Sequence, residues 1–444
     1  MKSTAFLPLA LFVLGLASST VTANDDLENI WAVLIAGSNG WYNYRHQSDV
    51  AHAYHLLLKH GVQADRIITF MYDDIANNPQ NPYPGKIFNH PNGSDVYAGV
   101  KIDYRGENVN SETFLNVLKA NATGNAGKGT GRVLGSTRKE HVFVYYSDHG
   151  GTDILGMPEG LLSKKDLDGA LAYMYEKDLY DKLLFYLEAC ESGSMFDGLR
   201  NDKRIYAITA ALYNESSWAT FCENPLDLPC LGDEFSVNWI QDSEINDILK
   251  ESVGHQVDDV VTSTKKSHVC QFGDNTIREE PVADYQGKAE VTKPTPDANS
   301  IVAFRAEVLD TAVDSRQVPL IMAERALRKL NASPSQIATR MHNYVSKRAD
   351  LTDFVSDIVH AVIPRRPLAR TVMLKKPARI TALDCHDAVI KAFDRDCAPF
   401  DRNPYAFALS SVFANLCEVV RDPTPILDQF AVKCVAGPKF TDVL

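Results

Sequence analysis

A chain of 444 residues is too long for one compact core, so two domains joined by connecting segments are expected. Apolar and charged content are ordinary for a globular protein, and the formal net charge of -12 argues against nucleic acid as the main partner, because phosphate binding needs a basic surface. Beyond the N-terminus no stretch supplies the ~20 apolar residues that a membrane span requires.

In chain order, Lys2, the apolar run Ala5 to Leu16 and the small residues ending in Val21-Thr22-Ala23 read as a secretory signal peptide cut after Ala23. From Trp31 to about Trp239, short β-branched and aromatic runs alternate with polar helical stretches, the pattern of a mostly parallel sheet flanked by helices. Strands are expected at Trp31 to Ala36, Arg66 to Met71, His141 to Ser147, Lys182 to Glu188 and Arg204 to Thr209. Val50 to His60 and Lys165 to Tyr175 read as helices, and Ser236 to Leu249 as the helix that closes this domain. The polar, Pro-containing stretch Lys288 to Ser300 lacks a period and reads as an exposed linker. From Ala323 the pattern turns helical, with Ile337, Met341, Tyr344 and Val345, then Phe354, Ile358, Val359 and Val362 at helical spacing. The division is therefore a signal peptide over 1–23, an α/β domain over 24–287, a linker over 288–331 and a small all-α domain over 332–444. Residues 332 to 382 carry nine Lys/Arg against three Asp, a balance of +6, which leaves -18 for the rest. That asymmetry is open to two readings, docking of a basic segment on an acidic body or a solvated basic face.

Eight cysteines in a chain routed to an oxidising compartment suggest disulfides. Cys222 and Cys230 flank a short Pro-containing loop that they could staple, while Cys385, Cys397, Cys417 and Cys434 crowd the last sixty residues and allow three pairings. Cys190 and Cys270 are left over, and Cys270, beside His268, reads as a structural thiol. Asn92, Asn121, Asn214 and Asn331 open glycosylation sequons, the last followed by Pro334.

Chemistry concentrates at two strand ends. His141 to Ser147 runs into Asp148-His149-Gly150-Gly151, and Lys182 to Glu188 runs into Ala189-Cys190-Glu191-Ser192-Gly193. The carboxyl ends of neighbouring parallel strands form the crevice where ligands bind, so paired strands would bring His149 and Cys190 to one site. A thiol nucleophile and its base need that geometry, and the N–H groups of Gly150 and Cys190 could hold an oxyanion. Taken singly, Cys190 reads as a packed thiol and His149 as an idle loop histidine. Their matched placement favours catalysis. A metal enzyme has little support, since His46, His52 and His55 lack a second ligand cluster.

Ala36-Gly-Ser-Asn-Gly-Trp-Tyr-Asn-Tyr-Arg-His-Gln47, Ser147-Asp-His-Gly150, Glu188-Ala-Cys-Glu-Ser-Gly-Ser194, Glu215-Ser-Ser217 and Leu231-Gly-Asp233 resemble, in order, the signatures of the legumain (asparaginyl endopeptidase) family. The resemblance implies a caspase-like fold, a Cys190–His149 dyad, an oxyanion role for Gly150 and an orienting role for Asn43. It assigns the specificity pocket to Arg45, His46, Glu188, Ser217 and Asp233, where a donating guanidinium and accepting carboxylates would satisfy an asparagine carboxamide. It further implies no cofactor, a C-terminal prodomain acting as an intramolecular inhibitor released in acid, and processing at Asn331, with Asp314 second. Protein and peptide substrates with exposed Asn, cystatin-type inhibitors, an acidic lysosome- or vacuole-like compartment or secretion, and the pairs Cys385–Cys417 and Cys397–Cys434 complete its implications. Other readings are a transpeptidase using the same residues, with Ala219 placed to tune that balance, a GPI-anchor transamidase, and an inactive binding protein.

Overall fold

The computed structural model describes residues 29–291, 298–375, 379–435 and 439–444, so the signal-peptide reading and the middle of the linker lie outside the described residues. Five parallel strands, β1 (Ile30–Ala36), β2 (Ile67–Phe70), β3 (His141–Ser147), β4 (Leu183–Glu188) and β5 (Ile205–Thr209), form the central sheet. Its order is β8-β5-β4-β3-β1-β2, where the edge strand β8 (Cys270–Gly273) runs antiparallel.

Successive residues of the strands serve opposite faces, as the period of two requires. Ala32, Leu34, Phe143, Tyr145, Leu184 and Tyr186 pack under helices α1 (Tyr44–Lys59), α4 (Glu234–Ile245) and α5 (Val253–Ser263). Val33, Ile35, Val144, Tyr146, Phe185 and Leu187 pack on the other face under α2 (Ser111–Leu118) and α3 (Lys164–Glu176). Because both faces are covered, the strands read as continuous apolar runs. The domain does not close at Leu249: α5 and β8 follow and complete the sheet, and β8, four residues long at an edge, carries no readable period. Helix α1 begins at Tyr44, six residues before the expected start at Val50.

A second, three-stranded antiparallel sheet joins β6 (Trp218–Thr220) to β7 (Gly232–Asp233) on one side and β9 (Val313–Asp314) on the other. The Cys222–Cys230 disulfide staples the loop between β6 and β7. Past residue 298 the chain folds back on the sheet domain as α6 (Ala298–Asp310), β9 and α7 (Val318–Lys329). The C-terminal region is helical: α8 (Pro334–Val362), α9 (Arg366–Leu374), α10 (Leu383–Asp396), α11 (Ser410–Val420) and α12 (Thr424–Lys433). Its core, including Leu351, Phe354, Phe393, Phe413 and Phe430, holds the bonds Cys385–Cys417 and Cys397–Cys434. Ile154 and Leu161, from a hairpin that follows β3, join that same core and fasten the helices to the sheet domain.

Candidate active site

The register of β3 against β4 pairs Ser147 with Glu188, and Asp148 N donates to Glu188 O at 3.0 Å. Two residues beyond this last pairing lie His149 and Cys190, side by side at the sheet's carboxyl edge. Close approach of the two chains there demands glycine, since a Cβ on Gly150 would collide with the carbonyl oxygen of Cys190.

Asn43 precedes α1. Its Nδ2 donates to Asn39 O at 2.8 Å, which fixes the amide orientation and turns Oδ1 toward His149 Nε2, also at 2.8 Å. The imidazole must therefore donate from Nε2, leaving Nδ1 as the basic nitrogen. Cys190 is a buried free thiol whose hydrogen-bond partner here is Ser217: Ser217 N donates to Sγ at 3.3 Å, and Ser217 Oγ lies 3.7 Å away. Burial pushes the thiol up and the His149 imidazole down, the latter helped by the charges of Arg45 and Arg316, so both are neutral in this closed state.

Behind the carboxyl ends of β3 and β4 lies a cluster of buried polar groups. Arg45, from the first turn of α1, donates through Nε to Asp233 Oδ1 at 2.8 Å, with both side chains 1% exposed. Glu188 accepts through Oε2 from Ser236 N at 3.1 Å and Ser236 Oγ at 3.0 Å. Three atoms here have no hydrogen-bond partner among the described residues: the donor Arg45 Nη2 and the acceptors Glu188 Oε1 and Asp233 Oδ2. Burial, then repulsion between the two carboxylates, raises Glu188 well above the usual carboxylate range; burial also raises Asp233. His46 stands behind them, with Nδ1 2.6 Å from Ser38 Oγ and 3.2 Å from Asp148 Oδ1, and Nε2 3.7 Å from Asp233 Oδ2. Its ring meets that of His149 edge-on at 5.0 Å. The ligand atoms of His46, Asp148 and His149 approach within 4.8 Å of one another, close enough to hold a cation in principle. Asn43 and Ser38 already engage both imidazoles.

Residues 30–288 match the model of the peptidase C13 family. Across 94% of its length the chain is similar to rat (Rattus norvegicus) legumain, 40% identical over 424 residues and 95% of that protein. Human (Homo sapiens) legumain, 36% identical over 425 residues, is matched over 94% of this chain and 95% of its own.

The chain belongs to the peptidase C13 family.

It is a cysteine endopeptidase of that family, and its substrates are proteins. A C13 relative from a plant, the vacuolar-processing enzyme of Vicia sativa, is 37% identical over 439 residues, covering 94% of this chain and 88% of the relative. No helix of the described residues is long and apolar enough to cross a membrane.

In this C13 peptidase two later segments meet the cleft. Strand β9 pairs with β6, Val313 opposite Ala219 and Asp314 opposite Trp218. Ser315 N then donates to Ser217 O at 3.1 Å, and the hydroxyls of Ser315 and Ser217 lie 3.4 Å apart. Arg316 donates to Gly150 O at 3.2 Å and pairs with Glu191, the left-handed residue after Cys190. On the other side, the ring of Phe407 lies 6.0 Å from that of His149, and Thr152 N donates to Ser410 Oγ at 2.8 Å. Ion pairs of both senses flank this contact, Lys391–Asp166 at 2.7 Å and Arg379–Asp197 at 3.6 Å against Lys165–Asp384 at 2.9 Å.

Asn331 sits exposed in the turn between α7 and α8 with φ 55°, whereas Asp314 lies within β9. Asn92, Asn121, Asn214 and Asn331 are all exposed, although the Asn121 amide donates to Asn116 Oδ1 at 2.8 Å. Cys270 is half-buried at the β8 edge, where burial raises its thiol to about 11. Sequence reasoning missed Asp49, which accepts from Asp233 N at 3.2 Å and Asn89 Nδ2 at 2.7 Å. It also missed Ser315, Arg316 and Phe407. Asp49 lies one helical turn past Arg45, a spacing that could have flagged it.

Proposed function

We propose that this peptidase cleaves after asparagine, accepts aspartate in acid, and is made as a zymogen over the divisions 24–287, 288–331 and 332–444. The observation that carries the specificity is the trio of unpartnered buried atoms. A carboxamide offers one acceptor oxygen and an NH2 with two donors, so Arg45 Nη2 would meet its oxygen and Glu188 Oε1 and Asp233 Oδ2 its protons. An ionised aspartate would set a third carboxylate against the two; protonated near its pKa of ~4, it regains a donor.

In the reaction, His149 Nδ1 takes the thiol proton as Sγ attacks the carbonyl carbon; the N–H groups of Gly150 and Cys190 stabilise the oxyanion, and the imidazolium returns the proton to the departing amine. Water, activated by the same nitrogen, then opens the thioester. Asn43 holds the ring in the required tautomer.

The latent form is supported by the way residues 313–317 lie. A peptide added to a sheet edge pairs by antiparallel main-chain bonds, and β9 does so with Ser315 beside the thiol, where the residue to be cleaved would stand. Serine lacks the carboxamide, so it fills the place without engaging the pocket. Phe407 and its helices cover the histidine side, and ion pairs such as Lys391–Asp166 and Lys165–Asp384 hold them there. Asn331 is the favoured cut, Asp314 the second. An acidic lysosome- or vacuole-like compartment, or secretion into one, suits such an enzyme.

The test incubates the purified chain at acid pH, sequences the new termini, and compares peptides differing only in Asn, Asp or Gln. Cleavage after Asn is expected, with Asp cleavage rising only as pH falls toward 4, and Cys190→Ala inert. Equal cleavage after Asn and Gln, or equal Asn and Asp cleavage at neutral pH, would overturn the pocket assignment.

A further inference from the structure

Upstream of Ser315 the chain does not stay extended. Thr311 Oγ1 accepts from Phe221 N at 2.9 Å, and Thr220 Oγ1 donates to Val308 O at 2.7 Å, so α6 is tied to the far end of β6. From there α6 lays Val308 and Phe304, seven and eleven residues before Ser315, against the sheet domain. Val308 is 1% exposed. The ring of Phe304 stacks on His90 at 5.6 Å and meets Phe221 at 5.9 Å, while Glu307 Oε2 lies 3.6 Å from His90 Nε2. Even with α6 in place, a cavity of roughly 300 Å³ remains beside Phe304, lined among others by Val96, Val237, His52 and Gln241. The resident helix is therefore an incomplete fit.

Most of the groove's lining lies outside α6. Its walls come from the loop after β2, from α1, from α4 and from β6, and His90 is braced by Asn92 N, which donates to His90 Nδ1 at 3.1 Å, and by Gly93 N on its carbonyl at 2.9 Å. Apart from Phe304, the lining holds His90, Phe221, Val96 and Val237, with the polar Gln241 and Glu244 beside them.

We infer that this groove is an accessory substrate site, which captures an amphipathic helical segment of the substrate seven to eleven residues upstream of the cleaved residue. A substrate strand pairing with β6 as β9 does is delivered to the groove's mouth, and α6 displays the side chains that fit. These are a branched apolar residue seven before the cut and an aromatic one eleven before, four apart and so on one helix face, with a carboxylate eight before it facing His90. This selects substrates by a feature remote from the scissile bond, so the gain falls on binding. The inference rests on the reading of residues 313–317 as lying in a substrate's register.

The experiment uses the full chain after acid maturation and two peptides of its own sequence, residues 300–320 and residues 311–320, each with Ser315→Asn. The longer peptide is expected to show a KM at least ~10-fold lower with kcat within ~2-fold, the worth of one well-buried apolar anchor. Replacing Phe304 and Val308 by Ala in the peptide, or His90→Ala in the enzyme, should remove most of that advantage while cleavage of the short peptide is unchanged. Equal KM for the two peptides, whether α6 stays bound or the groove fails to hold the helix, overturns the accessory site while leaving the Asn-cleaving assignment intact. Failure to cut either peptide would sink that assignment instead.

Discussion

On the cysteine side the cleft is covered by main chain, and on the histidine side by side chains. The strand 313–317 lies against the thiol side through hydrogen bonds of its backbone to β6, with Arg316 paired to Glu191 and Arg348 donating to Arg316 O at 2.9 Å as charged anchors. The C-terminal helices reach His149 through Phe407, held by a core of their own and two disulfides. A backbone cover tolerates almost any side chain, whereas a side-chain cover depends on the shape of the whole helical unit.

The largest break in this comparison is Ser315→Asn. It supplies the missing carboxamide in place, so the full chain should go from no cleavage to near-complete cleavage between residues 315 and 316, read by mass spectrometry of the intact protein. An uncut bond at that position, alongside normal cutting elsewhere, would show that the strand is not held in a substrate's register. Next comes Arg316→Gln, which removes the ion pair to Glu191 and the bond to Gly150 O. Losing one partner of a buried pair costs roughly 3 kcal/mol, so residual activity of the uncut chain toward a small Asn substrate should rise by about 100-fold. Phe407→Ala acts on the other cover. Truncating a buried Phe costs about 3 kcal/mol, and labelling of Cys190 by an electrophilic peptide should then occur at higher pH than in the parent, with the helices still folded by circular dichroism.

The smallest effect concerns the pH at which the sheet domain is held together. Burial, then the neighbouring Glu251 carboxylate, pushes Asp242 up to about 8, and burial likewise pushes Asp148 up to about 8. A carboxyl group raised in the folded state contributes stability that is full below its unfolded pKa of ~4 and lost as pH rises through about 8. The melting temperature should therefore fall by roughly 5 °C or more between pH 4 and 8. Glu251→Gln, which removes one charge from the pair, should flatten that slope. A steeper slope in the variant would reject the coupling.

The central sheet was readable, and His149 and Cys190 stood out, because their signals are local: an apolar run ending abruptly in glycine and chemistry-bearing residues. The first turn of α1 was not, because Arg45, His46, Gln47, Ser48 and Asp49 form a polar run that looks solvated yet is buried. Burial of polar side chains there breaks the amphipathic pattern on which sequence reading depends. Residues 313 to 317 escaped for another reason, since a two-residue strand has no period and takes its shape from β6. Phe407 sits on a 3-10 turn, and its place over His149 is a long-range packing result that no neighbouring residue announces.

The position of Asn331 after both α6 and α7 has a topological outcome. Were the chain cut there as proposed, residues 313–317 would stay joined to the sheet domain, at an effective local concentration on the order of millimolar. The proposed activation would then need two events, one that separates the helices over Phe407 and a second, upstream of residue 313, that releases Ser315.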